Sequence, residues 1–178
     1  MKLDEYTHIR AFEEKDAAVL ADIYNEHIAI GKSSMNRDHK EAKTILGWFH
    51  NFNDREGLWT IEKQSKAIGF GIIKRYSDRI GYRTTCETAV YLTDKETGEG
   101  YGSAMKRFLI DQCKRLSYHH LVAKILSVNP GSIIYNERLG YEIVGRQKQI
   151  GYLNGQWHDV IIMQLILDDV PAFLPEIS

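Results

Sequence analysis

Thr97-Gly98-Glu99-Gly100-Tyr101-Gly102-Ser103 is the stretch on which the reading of this chain turns. The apolar run Ala89-Val90-Tyr91-Leu92 precedes it and reads as a strand. Met105, Phe108, Leu109, Gln112 and Leu116 follow it at helical spacing. Strand, glycine-rich turn and helix together present unpaired backbone N–H groups to an anion, and the helix start adds its dipole. Glycine removes the Cβ that would keep a ligand away. A phosphate-bearing ligand is therefore expected at Thr97, Gly98, Gly100, Tyr101, Gly102 and Ser103. A Walker loop is excluded, because no lysine follows Gly102. A dinucleotide fingerprint is excluded because Ser103 stands where its third glycine belongs. Taken alone, the motif reads equally well as a tight left-handed turn before a helix.

Outward from this turn the chain reads as alternating elements. Tyr6 to Phe12 is a strand, followed by acids at 13, 14 and 16 that suit a helix start. Ala17, Leu20, Ala21, Tyr24 and Ile28 repeat at helical spacing, and Ala42, Ile45, Leu46 and Phe49 give a second helical face. Leu58–Glu62 and Ala67–Lys74 flank a polar turn as a hairpin. Tyr76 to Gly81 is a polar link into a strand from Arg83 to Leu92. Past the glycine turn and its helix lies Leu121–Leu126, a buried strand. Asn129-Pro130 then starts a short helix that ends near Gly140. Asn154-Gly155 joins two final strands, Tyr141–Ile150 and Trp157–Leu167. The expectation is one mixed α/β domain over residues 1–178, with its core at 6–167 and a surface tail at 168–178.

The chain has 178 residues with 23 basic and 24 acidic side chains, a net charge of −1, so no basic excess points to nucleic acid or a membrane surface. No apolar run is long enough to span a bilayer, and Met1–Glu5 lacks the apolar core of a signal peptide. Cys86 and Cys113 are the only cysteines and lack metal spacing, and the seven histidines form no ligand pattern. His119-His120 reads as a solvated turn. These features fit a cytoplasmic protein that uses no metal.

The element order, with a glycine turn after the fourth strand, resembles the GNAT acetyltransferase superfamily. Further motifs resemble its phosphinothricin N-acetyltransferase-like branch. They are Ile23-Tyr24-Asn25, the run Tyr82-Arg83-Thr84-Thr85-Cys86-Glu87, Asn129-Pro130-Gly131-Ser132-Ile133, Glu137-Arg138-Leu139-Gly140-Tyr141 and Gly155-Gln156-Trp157-His158-Asp159-Val160. The resemblance runs from about residue 8 to 167. It implies an α/β fold with a central mixed sheet of about seven strands flanked by helices. It also implies acetyl-CoA as cosubstrate, a small amino-acid-like amine as acceptor (phosphinothricin or methionine sulfoximine), and a homodimer.

Residue by residue, the resemblance implies that Glu87 is the general base. Without it, Glu87 reads as a cross-strand partner of Arg83 or Lys124. The backbone of Val90, Tyr91 and Leu92 is expected along the pantetheine arm, with Asn129 and Ser132 contacting it, although an N-cap alone would explain Asn129. Tyr82, Arg83, Arg75 and Arg79 are the expected acceptor-binding residues, since a guanidinium fork suits a carboxylate or phosphinate. Three positions depart from the family pattern: Thr97, Glu99 and Asn136. Asn136 stands where relatives carry a titratable tyrosine or histidine. That leaves Tyr135, about 100° away around a helix, as the candidate acid. The rival readings are an acetyltransferase for a polyamine, aminoglycoside or protein terminus, and a non-catalytic acyl-CoA sensor.

Overall fold

A computed structural model describes residues 1–172. Seven strands form one mixed sheet in the order β1-β2-β3-β4-β5-β7-β6. They are β1 (Thr7–Ala11), β2 (Gly57–Lys63), β3 (Lys66–Arg75), β4 (Thr85–Leu92), β5 (His120–Leu126), β6 (Glu142–Leu153) and β7 (Gln156–Ile166). Four helices, α1 (Ala17–Ile30), α2 (Ala42–His50), α3 (Tyr101–Arg115) and α4 (Pro130–Glu137), complete the frame. All strand pairs are antiparallel except β4–β5, whose parallel crossover is α3. Part of the 168–178 tail, residues 173–178, lies outside the described residues.

Strand alternation sorts the side chains onto two cores. Phe70 and Ile72 of β3 join Leu20, Ala21 and Ile45 of α1 and α2 on one face. Ile73, Cys86 and Leu121 join Met105, Leu109 and Cys113 of α3 on the other. Gly71 sits under α3, where an added Cβ would lie 2.6 Å from Met105 Sδ, so a larger residue there would displace the Met105 side chain. At the chain's start, Arg10 holds the buried Asp16 through paired bonds of 2.7 and 2.8 Å, tying β1 to the entry of α1.

The largest departure from the expected elements precedes β4. The strand does not begin at Arg83. Ile80–Tyr82 forms a 3-10 turn, closed by Tyr82 N–H to Arg79 O and Arg83 N–H to Ile80 O, and Arg83 caps it. The Arg83 carbonyl then accepts from Arg55 Nη1 at 2.6 Å, which consumes a group the strand would have used. His120 is likewise not in a turn but opens β5 opposite Thr85. His119 Nδ1 lies 3.0 Å from the Val170 carbonyl, so the start of the tail is tied to the sheet.

Candidate active site

The site begins where two neighbouring strands part. β4 and β5 pair only at Thr85–His120, Cys86–Leu121 and Glu87–Val122. Beyond that point β4 stays paired with β3 as far as Leu92–Gly69, and β5 stays paired with β7 as far as Leu126–Val160. The strands therefore diverge, and from Thr88 onward their facing edges lack each other as partners. A slot walled by peptide groups results. The edges at Val90, Tyr91 and Leu92 lie on one side of it, and Asn129 follows the other side just past Leu126.

The glycine turn stands at the open end of the slot. Gly98 and Gly100 have φ of +89° and +85°, and a Cβ built on either meets nothing within 4 Å. Gly100 caps α3 without a side-chain bond. Among the described residues, no protein acceptor takes the N–H groups of residues 98–103. Six donors, a positive helix end and open space make an anion cradle. Its flanks are fixed from three directions. The Glu26 carboxylate accepts from Thr93 Oγ1 and, at 3.0 Å, from Asp94 N–H. Lys63 pairs with Glu96 at 2.8 Å. His27 Nε2 lies 2.8 Å from the Leu92 carbonyl, so the ring carries its proton on Nε2. Thr97 turns its hydroxyl inward to the Asp94 carbonyl at 2.7 Å, and Glu99 is exposed.

Two adjoining cavities lie on the opposite face of the sheet from α3. The larger, about 900 Å³, is walled by β5, β6 and β7 and by the loop after α1. The smaller, about 200 Å³, contains Glu87. Tyr24, Tyr91 and Lys124 border both. Glu87 accepts a short bond from Lys124 Nζ at this junction. The cross-strand partner read from the residues alone is thus present; Lys124 is exposed and Glu87 half-buried, and the pair lines the mouth of the smaller cavity. Burial pushes the Tyr91 hydroxyl above its ordinary range, so it remains a donor. Tyr24 Oη accepts from Asn36 Nδ2 at 2.8 Å and from Ser34 Oγ at 3.3 Å, which anchors the loop after α1 over the opening.

The structure brings some candidates together and separates others. Tyr82 lines the larger cavity. Arg79 and Arg83 are exposed, line neither cavity, and have no ion-pair partner among the described residues. Arg75 is a correction. It pairs in register with Cys86, so it shares the α3 face, whereas Glu87 points the other way. Its guanidinium is already held by Glu56 and Asp78, each at 2.5 Å. Asn129 caps α4 by accepting from Ser132 N–H at 3.2 Å, while its amide reaches Ser33 Oγ at 3.2 Å. It therefore joins the slot to the loop over the cavity. Tyr135 is half-buried, and burial pushes its pKa up to about 12, so it keeps its proton at neutral pH. Asn136 is 1 % exposed and binds the Ser132 carbonyl through Nδ2 at 2.8 Å. Cys86 faces away from Glu87 and meets Cys113 at 3.5 Å between sulfurs. Sequence reading missed His27 and Lys106. Lys106 carries a visible signal, because it lies three and seven residues before Leu109 and Cys113, in phase with the apolar stripe.

Among the described residues no group of three His, Cys, Asp or Glu is placed to hold a metal ion. No helix among them is long and apolar enough to cross a membrane.

Comparison with known proteins places this geometry in context. The family model described as an acetyltransferase (GNAT) domain matches residues 9–162. An L-methionine sulfoximine/L-methionine sulfone acetyltransferase of Pseudomonas paraeruginosa is 31 % identical over 82 % of this chain and 86 % of its own. A phosphinothricin N-acetyltransferase of Alcaligenes faecalis is 25 % identical over 94 % and 86 %. The solved structure of yncA from Salmonella typhimurium, with its cofactor acetyl-CoA, superposes with a TM-score of 0.89 at 27 % identity, covering 94 % of this chain and 98 % of that one.

Proposed function

The chain belongs to the GNAT acetyltransferase family, in its phosphinothricin and methionine sulfoximine acetyltransferase branch, and on that premise we propose which amine it acetylates and how. It is an acetyl-CoA-dependent acetyltransferase. Our reading is that the acceptor is a small amino-acid-like molecule of the methionine sulfoximine or phosphinothricin type, and that Glu87 takes its proton.

The observation that carries this reading is the junction of slot and cavity at Glu87. A carboxylate stands in a walled space at the closed end of a peptide-lined slot, and the anion cradle stands at the slot's open end. The residues fit acetyl-CoA. Open space over Gly98 and Gly100, with six unpaired N–H groups, suits a pyrophosphate, and the free edges of β4 and β5 suit an amide-containing arm. Bound there, acetyl-CoA supplies an acyl group activated as a thioester. The peptide N–H groups of residues 98–103 hold the phosphates; Thr97, expected among them from sequence, does not, because its N–H and its hydroxyl both go to the Asp94 carbonyl. The backbone at Val90, Tyr91 and Leu92, with Asn129 and Ser132, positions the arm. Tyr135 and Tyr91 remain protonated donors near the slot. Glu87 accepts the ammonium proton of an acceptor seated in the cavity, directly or through water. Lys124 orients the carboxylate by binding one of its oxygens.

Acceptor choice follows from charge. Tyr82 borders the cavity, and Arg79 and Arg83, which line neither cavity as they stand, would swing their guanidinium forks inward to meet a carboxylate, sulfoximine or phosphinate. A second copy of the chain completes the site in our reading. Ile143, Val144, Ile150, Tyr152 and Trp157 leave the β6–β7 hairpin between 51 and 60 % exposed, an apolar surface next to the larger cavity that a twofold partner would cover. The two unjoined, buried thiols are in keeping with a cytoplasmic setting.

The test is a competition assay that follows thiol release from acetyl-CoA with methionine sulfoximine, phosphinothricin, spermidine and a short peptide. The two amino-acid analogues are expected to react fastest. Arg83→Ala is expected to raise their KM about tenfold and leave acetyl-CoA affinity alone. Preference for spermidine or the peptide would overturn the acceptor class.

A further inference from the structure

Lys106, in the second turn of α3, is 1 % exposed. Its Nζ donates to Thr88 Oγ1 at 2.7 Å and to the Thr88 carbonyl at 3.2 Å, and lies 4.6 Å from the Tyr141 ring centroid. Thr88 Oγ1 is 3.1 Å from Tyr141 Oη. Either hydroxyl can donate in that bond, so Lys106, Thr88 and Tyr141 form one connected polar group. The titratable groups that face this ammonium are the Cys86 thiol from β4, the Cys113 thiol from α3 itself and the Tyr141 phenol before β6, with Tyr135 beyond Tyr141. Among the described residues no carboxylate pairs with it. A buried ammonium without a counter-charge is costly. Packing alone would be served better by methionine or leucine at this phase of the helix.

What Lys106 touches gives that cost a purpose. Thr88 is the first β4 residue past the last β4–β5 pair, Glu87–Val122, and so forms the apex of the slot. We infer that Lys106 is a positioning residue for acetyl transfer: through Thr88 it fixes the β4 backbone at the point where the strand leaves β5. This inference rests on the acetyltransferase reading above. Holding the Thr88 carbonyl fixes the plane of the peptide that leads to Ala89, and hence the direction in which the slot's edge groups face. The charged donor makes that hold stronger than a neutral amine would.

Burial lowers the Lys106 pKa from 10.5 to about 7. As pH rises through that value the ammonium is lost and the hold on Thr88 weakens. Folding stability moves the other way. Between about 7 and 10.5 the unfolded chain binds the proton that the folded chain has released, so the Lys106 contribution to stability rises with pH across this window. A lysine buried here only as packing would show the same stability effect but no alkaline decline of kcat.

The test compares the parent protein with Lys106→Met, which is similar in length and apolar. We expect Lys106→Met to be at least as heat-stable at neutral pH, with the rise of stability above pH 7 flattened. Calorimetric acetyl-CoA affinity should stay within about threefold, kcat should fall about tenfold with loss of its alkaline decline, and amide exchange at Ala89 and Val90 should quicken. Parental kcat at every pH, with unchanged exchange, would overturn the inference. If Lys106→Met does not fold, the ε-ammonium titration is followed by NMR in the parent. A midpoint near 7 that coincides with the alkaline limb of kcat supports the inference, and a midpoint close to 10.5 overturns it. Parent turnover is measured first. A parent that releases no thiol with any amine sinks the acetyltransferase reading, and amide exchange at Ala89 and Val90 in the parent and Lys106→Met then decides separately whether Lys106 holds Thr88.

Discussion

Between Leu92 and Ser103 the groups offered to a ligand are peptide N–H groups, held in place by side chains that point elsewhere. Around the larger cavity they are the side chains themselves, drawn from the loop after α1 and from β4, β5, β6 and β7. The contrast shows in how each end uses its polar residues. Thr97 spends its hydroxyl on the Asp94 carbonyl, and Glu26 secures Thr93 and Asp94 from behind. Glu87, Lys124, Tyr24 and Tyr91 instead line the cavity with their side chains, Glu87 held by Lys124 and Tyr24 by Asn36 and Ser34. A backbone site tolerates changes of side chain provided the chain path survives. A side-chain site depends on each atom it presents.

That difference ranks the expected effects of substitution. Glu87→Gln keeps the shape at the junction and removes the proton acceptor, so kcat should fall on the order of a hundredfold while acetyl-CoA affinity holds. A pH series of kcat and a calorimetric titration check both halves. Activity within about twofold of the parent would take Glu87 out of the base role. At the other end, Thr97→Gln alters only a side chain turned away from the cradle. Acetyl-CoA affinity should change by less than about twofold, because the peptide donors remain. A larger loss would mean that the Thr97–Asp94 bond sets the path of the turn.

The same contrast explains what could be read from sequence. The cradle is local, since Gly98, Gly100 and the start of α3 lie within a few residues of one another. Their spacing reveals the turn without knowledge of the rest of the fold. The N-cap at Asn129 and the β6–β7 turn at Asn154-Gly155 are legible for the same reason. The proposed acceptor end is assembled from distant segments. That Glu87 meets Lys124 depends on a strand register of the parallel pair, and that Arg75 faces the wrong side depends on its pairing with Cys86. Arg83 reads as strand but lies outside β4, because a 3-10 turn and the guanidinium of Arg55 take it out. Lys106 shows its burial through helical phase, but its partner Thr88 comes from another element.

If a backbone cradle at the glycine turn holds the acetyl donor, Gly100→Val should empty it. Gly100 has a φ of +85° and open space where a side chain would stand. Valine would both strain that conformation and block approach to the N–H groups. Calorimetric titration of acetyl-CoA into the folded variant, with secondary structure checked by circular dichroism, should show affinity lower by about thirtyfold or more. Affinity equal to the parent's in a folded Gly100→Val protein would move the phosphate site away from this turn.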